Sequence, residues 1–235
     1  MRRELFTYYT GPFSTEYAKQ NEGRSPNVEQ YFRKLDDDSI AMQYQYIRAN
    51  INPLGSKHLL DQAADASSYS KLHAKVHPII RSFLEKFGYY DIFLVDIESG
   101  DIVYSVFKEL DFSTSLIDGP NAQTNFGEAF RKAAAATAHD AVVMVDYAQY
   151  TPSCEAPAGF IASPIFDGDK KIGVAMFQMP IDRLKSLGRV QCYSVRCNGR
   201  YRAAWLQLIR QQLSLGIRLK QAGKRYLNDA WVASS

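Results

Sequence analysis

The chain has 235 residues, 46% of them apolar and 13% aromatic, which suits one or two domains with a buried core. It contains no run of about 18 apolar residues, and its start, Met1-Arg2-Arg3-Glu4-Leu5-Phe6, has no apolar leader stretch. Neither a transmembrane helix nor a signal peptide is expected, and the product as written is expected to stay in the cytoplasm. The net charge of +3 hides an asymmetry: residues 1–186 carry 19 Lys and Arg against 24 Asp and Glu, whereas residues 187–235 carry 9 against one, Asp229. A swing from −5 to +8 marks a boundary. The three cysteines, Cys154, Cys192 and Cys197, form neither a disulfide framework nor a zinc pattern, because no second Cys/His pair follows the last two.

Gly11-Pro12 and the stretch from Gly23 to Pro26 read as breakers, with a short helix over 13–20 between them. Val28, Tyr31, Phe32, Leu35, Ile40, Tyr44 and Ile47 recur at helical spacing and predict a helix over 28–49, interrupted at Asp36-Asp37-Asp38. Those three acids suit a solvated helix start better than a metal site. Asn52-Pro53-Leu54-Gly55 ends that helix. Ser67-Ser68 caps a second one over 69–87, with Leu72, Val76, Ile79, Ile80, Phe83, Leu84 and Phe87 as its apolar face. Pro78 is expected to kink it and Gly88 to close it. His73 and His77 lie four apart without the glutamate of a zinc helix, so packing or hydrogen bonding near the kink is the expected role.

The clearest β signal is a hairpin over 89–105. Ile92, Phe93, Leu94 and Val95 form an apolar run that predicts a strand covered on both faces, Glu98-Ser99-Gly100-Asp101 is turn chemistry, and Ile102, Val103 and Tyr104 resume the strand. An Ala-rich helix over 124–138 follows, then strands over 141–147, 159–166 and 172–179, the last two joined by a turn at Asp167-Gly168-Asp169. The expected fold is α+β: long N-terminal helices, then a PAS-like antiparallel sheet of about five strands with one inserted helix. The expected regions are 1–87 helical, 88–186 sensor sheet and 187–235 basic tail. Pro180 is expected to open an exit helix, and residues 203–219 a basic amphipathic one.

No G-x-S-x-G, Walker A, G-x-G-x-x-G, H-E-x-x-H or C-x-x-C motif occurs, so catalysis has no positive support. No cofactor and no metal ligands are expected. A pocket does have support. Segments 107–120 and 147–158 are rich in aromatic and polar residues and would cover the sheet. Tyr104, Phe107, Asp111, Asp146, Tyr147, Tyr150 and Phe160 are the candidate ligand-binding residues. Tyrosine hydroxyls and one or two carboxylates in an apolar setting suit a small polar ligand, especially one with an ammonium group. Asp146 leads this group, because it ends an apolar strand and precedes Tyr147. Each of these aromatics could equally fill the sheet's own core.

Several stretches together carry a resemblance: Asn52-Pro53-Leu54-Gly55, Tyr69-Ser70-Lys71-Leu72-His73, the run from Phe87 to Asp96, the run from Ile102 to Phe112, and Phe160-Ile161-Ala162-Ser163-Pro164-Ile165-Phe166. Over residues 1–185 the chain resembles the extracytoplasmic Cache (PAS-like) sensor regions of bacterial methyl-accepting chemotaxis receptors and of related membrane histidine kinases and cyclases. The resemblance implies small-molecule sensing (amino acid, amine or carboxylate) on the periplasmic side of the inner membrane in a parent receptor. It also implies a homodimer through the N-terminal helices. The flanking membrane helices and output module of such receptors have no counterpart here. The sequence from about residue 187 is unlike the family and is expected to be a shifted reading frame or another truncation product. The competing expectation is nucleic-acid or acidic-membrane binding by that basic tail, where arginines alternate with Tyr193, Tyr201, Trp205 and Tyr226.

Overall fold

The structure is a computed structural model and describes residues 1–180. The exit helix, the amphipathic helix, Cys192, Cys197 and the basic tail lie outside the described residues. Residues Met1–Met179 form one unit, so the helical region and the sheet pack together.

Helix α1 (Arg2–Tyr8) runs into a π-helical turn (Tyr9–Phe13) and then α2 (Ser14–Gln20). Gly11-Pro12 therefore does not break the helix, contrary to the breaker expected from the sequence. It lies in the widened turn, where the ladder already departs from the i→i−4 pattern that a proline disrupts. The predicted helix over 28–49 is three pieces: α3 (Val28–Phe32), α4 (Asp37–Gln43) and a π turn (Tyr44–Arg48). The break falls where the acids are. Asp36 is the N-cap of α4, accepting from the Ser39 amide at 2.7 Å. Asp37 and Asp38 occupy its first turn. Leu5, Tyr9, Phe13, Phe32, Ile40 and Ile47 pack together, and Leu110 from the sheet side enters the same cluster.

Helix α5 (Ser68–Phe87) starts at Ser67, whose hydroxyl accepts from the Ser70 amide, and stops at Gly88, left-handed at φ 67°. Pro78 sits inside it. Its buried side differs from the predicted apolar face. Ser70, His73, His77 and Leu84 are buried, while Ile79 is 54% exposed. The inward histidines make hydrogen bonds, two at His77 and one from His73 Nδ1, described below.

Strands β1 (Asp91–Asp96), β2 (Ile102–Ser105), β3 (Val143–Gln149), β4 (Pro157–Asp167) and β5 (Lys170–Met179) form one antiparallel sheet in the order β2-β1-β5-β4-β3. The β1–β2 turn is tied by Asp96, whose Oδ2 accepts from the Ser99 amide at 2.8 Å and its hydroxyl at 2.9 Å. Strand β1 is covered on both faces, as its apolar run predicts. Phe93 and Val95 pack with Phe126, Ala129, Phe130 and Ala133 of α6 (Asn125–Ala135). Ile92 packs with Leu84 of α5, Tyr104 and Val106. Thr124 caps α6. The observed architecture is the expected α+β, PAS-like one: N-terminal helices, then a five-stranded sheet with α6 inserted between β2 and β3.

Candidate functional site

The loop leaving β2, residues 106–112, crosses between the sheet and the N-terminal helices. Its sequence alternates apolar and charged residues, Val106-Phe107-Lys108-Glu109-Leu110-Asp111-Phe112. The apolar members anchor it. Val106 joins the α5 cluster, Leu110 the N-terminal cluster, and Phe112 packs with Tyr46 and Ala63. The Gln43 amide donates to the carbonyls of Leu110 at 2.9 Å and Phe112 at 2.7 Å, and Tyr9 donates to Gln43 Oε1 at 2.6 Å. Lys108 and Asp111 are thereby buried, and Glu109 is half-buried.

Asp91, the first residue of β1, is fully buried. Its Oδ1 accepts from the amides of Ile92 at 2.6 Å, Val106 at 2.8 Å and Phe107 at 3.2 Å, and its Oδ2 from Phe107 at 3.3 Å. It fastens the loop to the sheet. Burial, with the Asp111 charge adding to it, pushes its carboxyl up to about 8, and the backbone donors oppose this.

Lys108 is 2% exposed and left-handed at φ 57°. Its Nζ donates to the Ser105 carbonyl and lies 4.4 Å from the Tyr104 ring centroid, 4.8 Å from Phe112 and 5.6 Å from Tyr46. Cation–π attraction offsets part of the cost of burying an amine. Burial still lowers the ammonium to about 7, with Asp91 and Asp111 opposing.

Glu109 and Asp111 face a different set of partners. Tyr90 donates to Glu109 Oε1 at 2.7 Å and Ser153 to Oε2 at 2.9 Å. Gln178, near the end of β5, donates from its side-chain amide to the Ser153 hydroxyl at 3.2 Å. Tyr150 donates to Asp111 Oδ2 at 2.6 Å. Asp111 Oδ1 and Gln178 Oε1 are buried and have no hydrogen-bond partner among the described residues. Burial raises Glu109 well above the usual carboxylate range, and the Asp111 charge adds to it. Burial raises Asp111 to about 6, and the Tyr150 hydrogen bond pulls the other way. The nearby Phe112 amide is engaged with the Glu109 carbonyl at 3.1 Å.

The structure brings together some of the predicted site residues and not others. Asp111 and Tyr150 are bonded to each other. Tyr150 also packs edge-on against Phe160, with centroids 5.3 Å apart, and both belong to the core beneath α6. Phe107 stacks on Tyr90 at 5.4 Å. Tyr104 turns towards α5, where its hydroxyl lies 2.7 Å from His77 Nδ1. Tyr147 lies over Gly159 of β4. Asp146 is exposed. Its Oδ1 accepts from the Tyr147 amide, and its carbonyl accepts from Asn125 of α6. The structure thus does not bring Asp146 to the Glu109–Asp111 group.

Asp91, Lys108, Glu109 and Gln178 were missed by sequence reasoning. The available signal was a charged residue inside an otherwise apolar stretch, as Asp91 is between Tyr90 and Ile92. Among the described residues no group of three or more His, Cys, Asp and Glu could hold a metal ion.

The histidines form a second polar group. The His73 and His77 rings stack at 4.3 Å. His73 Nδ1 donates to the Asp61 carbonyl at 2.7 Å, and His77 Nε2 donates to the His58 carbonyl at 2.7 Å. A carbonyl can only accept, so His77 Nδ1 is left to accept from Tyr104. Arg81 donates to the same His58 carbonyl and pairs with Asp61 at 2.8 Å. The group pins the segment around residues 58–61 to α5.

No protein-family model matches the chain, and no curated protein does. Among solved structures, the chain is similar to the sensor domain of the V. cholerae histidine kinase DctB, at 14% identity and a TM-score of 0.40 over 76% of this chain and 61% of that one. It is similar to the ligand-binding domain of the Pseudomonas aeruginosa PAO1 amino acid chemoreceptor PctC, solved with GABA, at 13% identity and a TM-score of 0.36 over 77% and 65%. It is also similar to the sensory domain of the Campylobacter jejuni chemoreceptor Tlp3, solved with isoleucine, at 13% identity and a TM-score of 0.39 over 78% and 65%. The chain spans 61 to 65% of the length of these three. Among the described residues no helix is long and apolar enough to cross a membrane.

Proposed function

We propose that this chain is a Cache-type ligand-sensing module, or a truncated piece of one, from a bacterial transmembrane signalling receptor. In the parent receptor it faces the periplasm, reads a small polar molecule of the amino acid, amine or carboxylate class, and pairs with a second copy through its N-terminal helices. The sensor sheet takes in residues 88–186, and the basic stretch 187–235 is an appended tail.

The observation that carries this reading is the polar group made of buried Asp111 and Gln178 and half-buried Glu109. A core without a ligand role has little use for two carboxylates in contact with neutral donors only, since burying a charge is costly unless it is paired. Sites of this kind are mostly apolar with a few convergent polar groups. Tyr150, Phe160 and Phe107 supply the aromatic surroundings, and Leu110, in the same loop, packs among the N-terminal helices. A ligand at Glu109 or Asp111 would thus act on the segment that joins the sheet to those helices. Of the candidates Tyr104, Phe107, Asp111, Asp146, Tyr147, Tyr150 and Phe160, the proposed ligand-facing ones at this group are Phe107, Asp111, Tyr150 and Phe160, whereas Tyr104 faces His77 and Asp146 is exposed. Asp111 replaces Asp146 as the leading carboxylate, because Asp146 is exposed.

A thermal-shift screen of the full chain against amino acids, amines and carboxylates tests this. At least one compound is expected to raise the melting temperature, and Asp111→Asn to weaken the effect. Asp146→Ala then reports whether the end of β3 belongs to the same pocket. If no compound in any class stabilises the chain, the sensing role falls and a structural or degraded product is the better account.

A further inference from the structure

We infer that the stacked rings of His73 and His77 form a proton-operated latch: while neutral they hold the segment over 57–61 on α5, and proton uptake in acid releases it before the sheet unfolds. Its ligand is the proton, so the latch stands apart from the sensing role proposed above.

The segment has little apolar packing to hold it. It opens with a 3-10 turn (Lys57–Leu59). The apolar residues in and before it, Ile51, Leu54 and Leu59, are 96%, 37% and 53% exposed. Lys57 bonds back to Asn50 in the preceding turn rather than to α5. The ties to α5 are polar. His77 Nε2 and Arg81 both donate to the His58 carbonyl, and His73 Nδ1 donates to the Asp61 carbonyl, each at 2.7 Å. Arg81 also pairs with the Asp61 carboxylate at 2.8 Å. Two of these four bonds come from the histidine rings.

Neither ring can take a second proton where it stands. His73 uses Nδ1 as a donor, which leaves Nε2 as an acceptor. That atom is buried on a residue 3% exposed and has no partner among the described residues. A proton there would be a buried, charged donor with nothing to accept it, which is costly. His77 Nδ1 accepts from the Tyr104 hydroxyl, so a proton there reverses a buried bond. The rings lie 4.3 Å apart and would repel once both are charged.

The neighbours give no relief. Arg81 from α5 and Lys108 from the loop after β2 are cations, and burial followed by the Lys108 charge holds both rings neutral. His58 adds a third imidazole. Tyr46, Tyr69 and Tyr104 present rings to His73. Asp61 faces the pair through its carbonyl, while its carboxylate is taken by Arg81. Asp91 and Asp111 act on Lys108, and Glu85 on His58. Once the segment lifts away, the rings reach water and recover their ordinary value of 6.5. Tyr104 and Lys108 sit at the root of the 106–112 loop, so the release also loosens the stretch that carries Glu109 and Asp111.

Hydrogen exchange of the full chain by NMR from pH 7 to pH 4, corrected for the intrinsic pH dependence of amide exchange, tests the latch. It compares the amides of Leu59 and Leu60, bonded to the Ser56 and Lys57 carbonyls, with those of β4 and β5. Each proton taken up on opening favours the open form by about tenfold per pH unit. Below about pH 6.5 exchange at Leu59 and Leu60 is expected to approach a gain of about a hundredfold per unit, or more where His58 also takes a proton, while the sheet stays protected. His73→Gln and His77→Gln are each expected to remove one factor of about ten per unit. The wild-type profile is decisive even where a variant fails to fold. A corrected profile that is flat with pH would overturn the inference. So would loss of protection in segment and sheet together, which is global acid unfolding, or an undiminished slope in both folded variants, which would assign the protons elsewhere.

Discussion

The Tyr150 hydroxyl donates to Asp111 Oδ2 at 2.6 Å, bridging 39 residues of sequence. It joins the loop after β3 to the loop after β2, and it is the side-chain hydrogen bond that holds the Asp111 carboxylate. Tyr150→Phe removes it and leaves a fully buried carboxylate with no side-chain donor. Hydrogen bonds to charged groups contribute about 1.5–3 kcal/mol, so urea unfolding at pH 7 should show a loss in that range. A loss below about 0.5 kcal/mol, the scale of an ordinary surface substitution, would mean that Asp111 is already protonated or hydrated.

Asp91 holds the loop that carries Lys108, Glu109 and Asp111. Asp91→Ala leaves the buried amides of Val106 and Phe107 without their acceptor. Each unsatisfied donor costs about 1–3 kcal/mol. The expected result is a loss of about 2–6 kcal/mol for the pair, with faster amide exchange at Val106 and Phe107 measured by NMR. Unchanged exchange there would show that the loop is held by its apolar anchors alone.

Burial holds His73 and His77 neutral, pushing them down to about 2 and about 3, with the Lys108 charge as the second cause in both. Their ordinary value is 6.5. As pH falls below that, the unfolded chain takes up protons that the folded chain cannot. Their contribution is therefore fully present above about pH 6.5 and is lost progressively as pH falls towards 3. His77→Gln removes one of the two titrations. Its stability difference from wild type should shrink between pH 7 and pH 4. A constant difference over that range would contradict a buried neutral His77.

Gly127 lies in the first turn of α6, where helix propensity alone favours alanine by about 1 kcal/mol. A Cβ at this position would overlap the Ala122 carbonyl oxygen, with the Asn121 carbonyl close behind. Gly127→Ala should therefore lower the melting temperature, the reverse of the propensity expectation. A higher melting temperature would show that the 121–122 turn yields easily.

Much of the fold was legible because local chemistry and tertiary packing agree. The β1–β2 hairpin follows from an apolar run, a Ser99-Gly100 turn and β-formers beyond it. The bounds of α5 follow from Ser67 and Gly88, and the break before α4 follows from Asp36. The passage of the first helix through Pro12 was not legible, because a π turn has no composition signature. Nor was the inward face of α5. Periodicity assigns burial to Leu72, Val76 and Ile79, yet His73 and His77 are inside because partners distant in sequence, Asp61, His58 and Tyr104, satisfy them. The candidate site was half legible for the same reason. Asp111 and Tyr150 stand out as polar residues in aromatic segments. Glu109 and Gln178 gain meaning only when β5, the 151–153 turn and the β2 loop meet at one end of the sheet.

The most direct test of a sensing role centred on Asp111 is the melting temperature of the full chain and of Asp111→Asn across one panel of amino acids, amines and carboxylates. The account predicts stabilisation of the wild-type chain by at least one compound of the panel and little or none in the variant. An unchanged melting temperature across the whole panel, or equal stabilisation of both proteins, would contradict it.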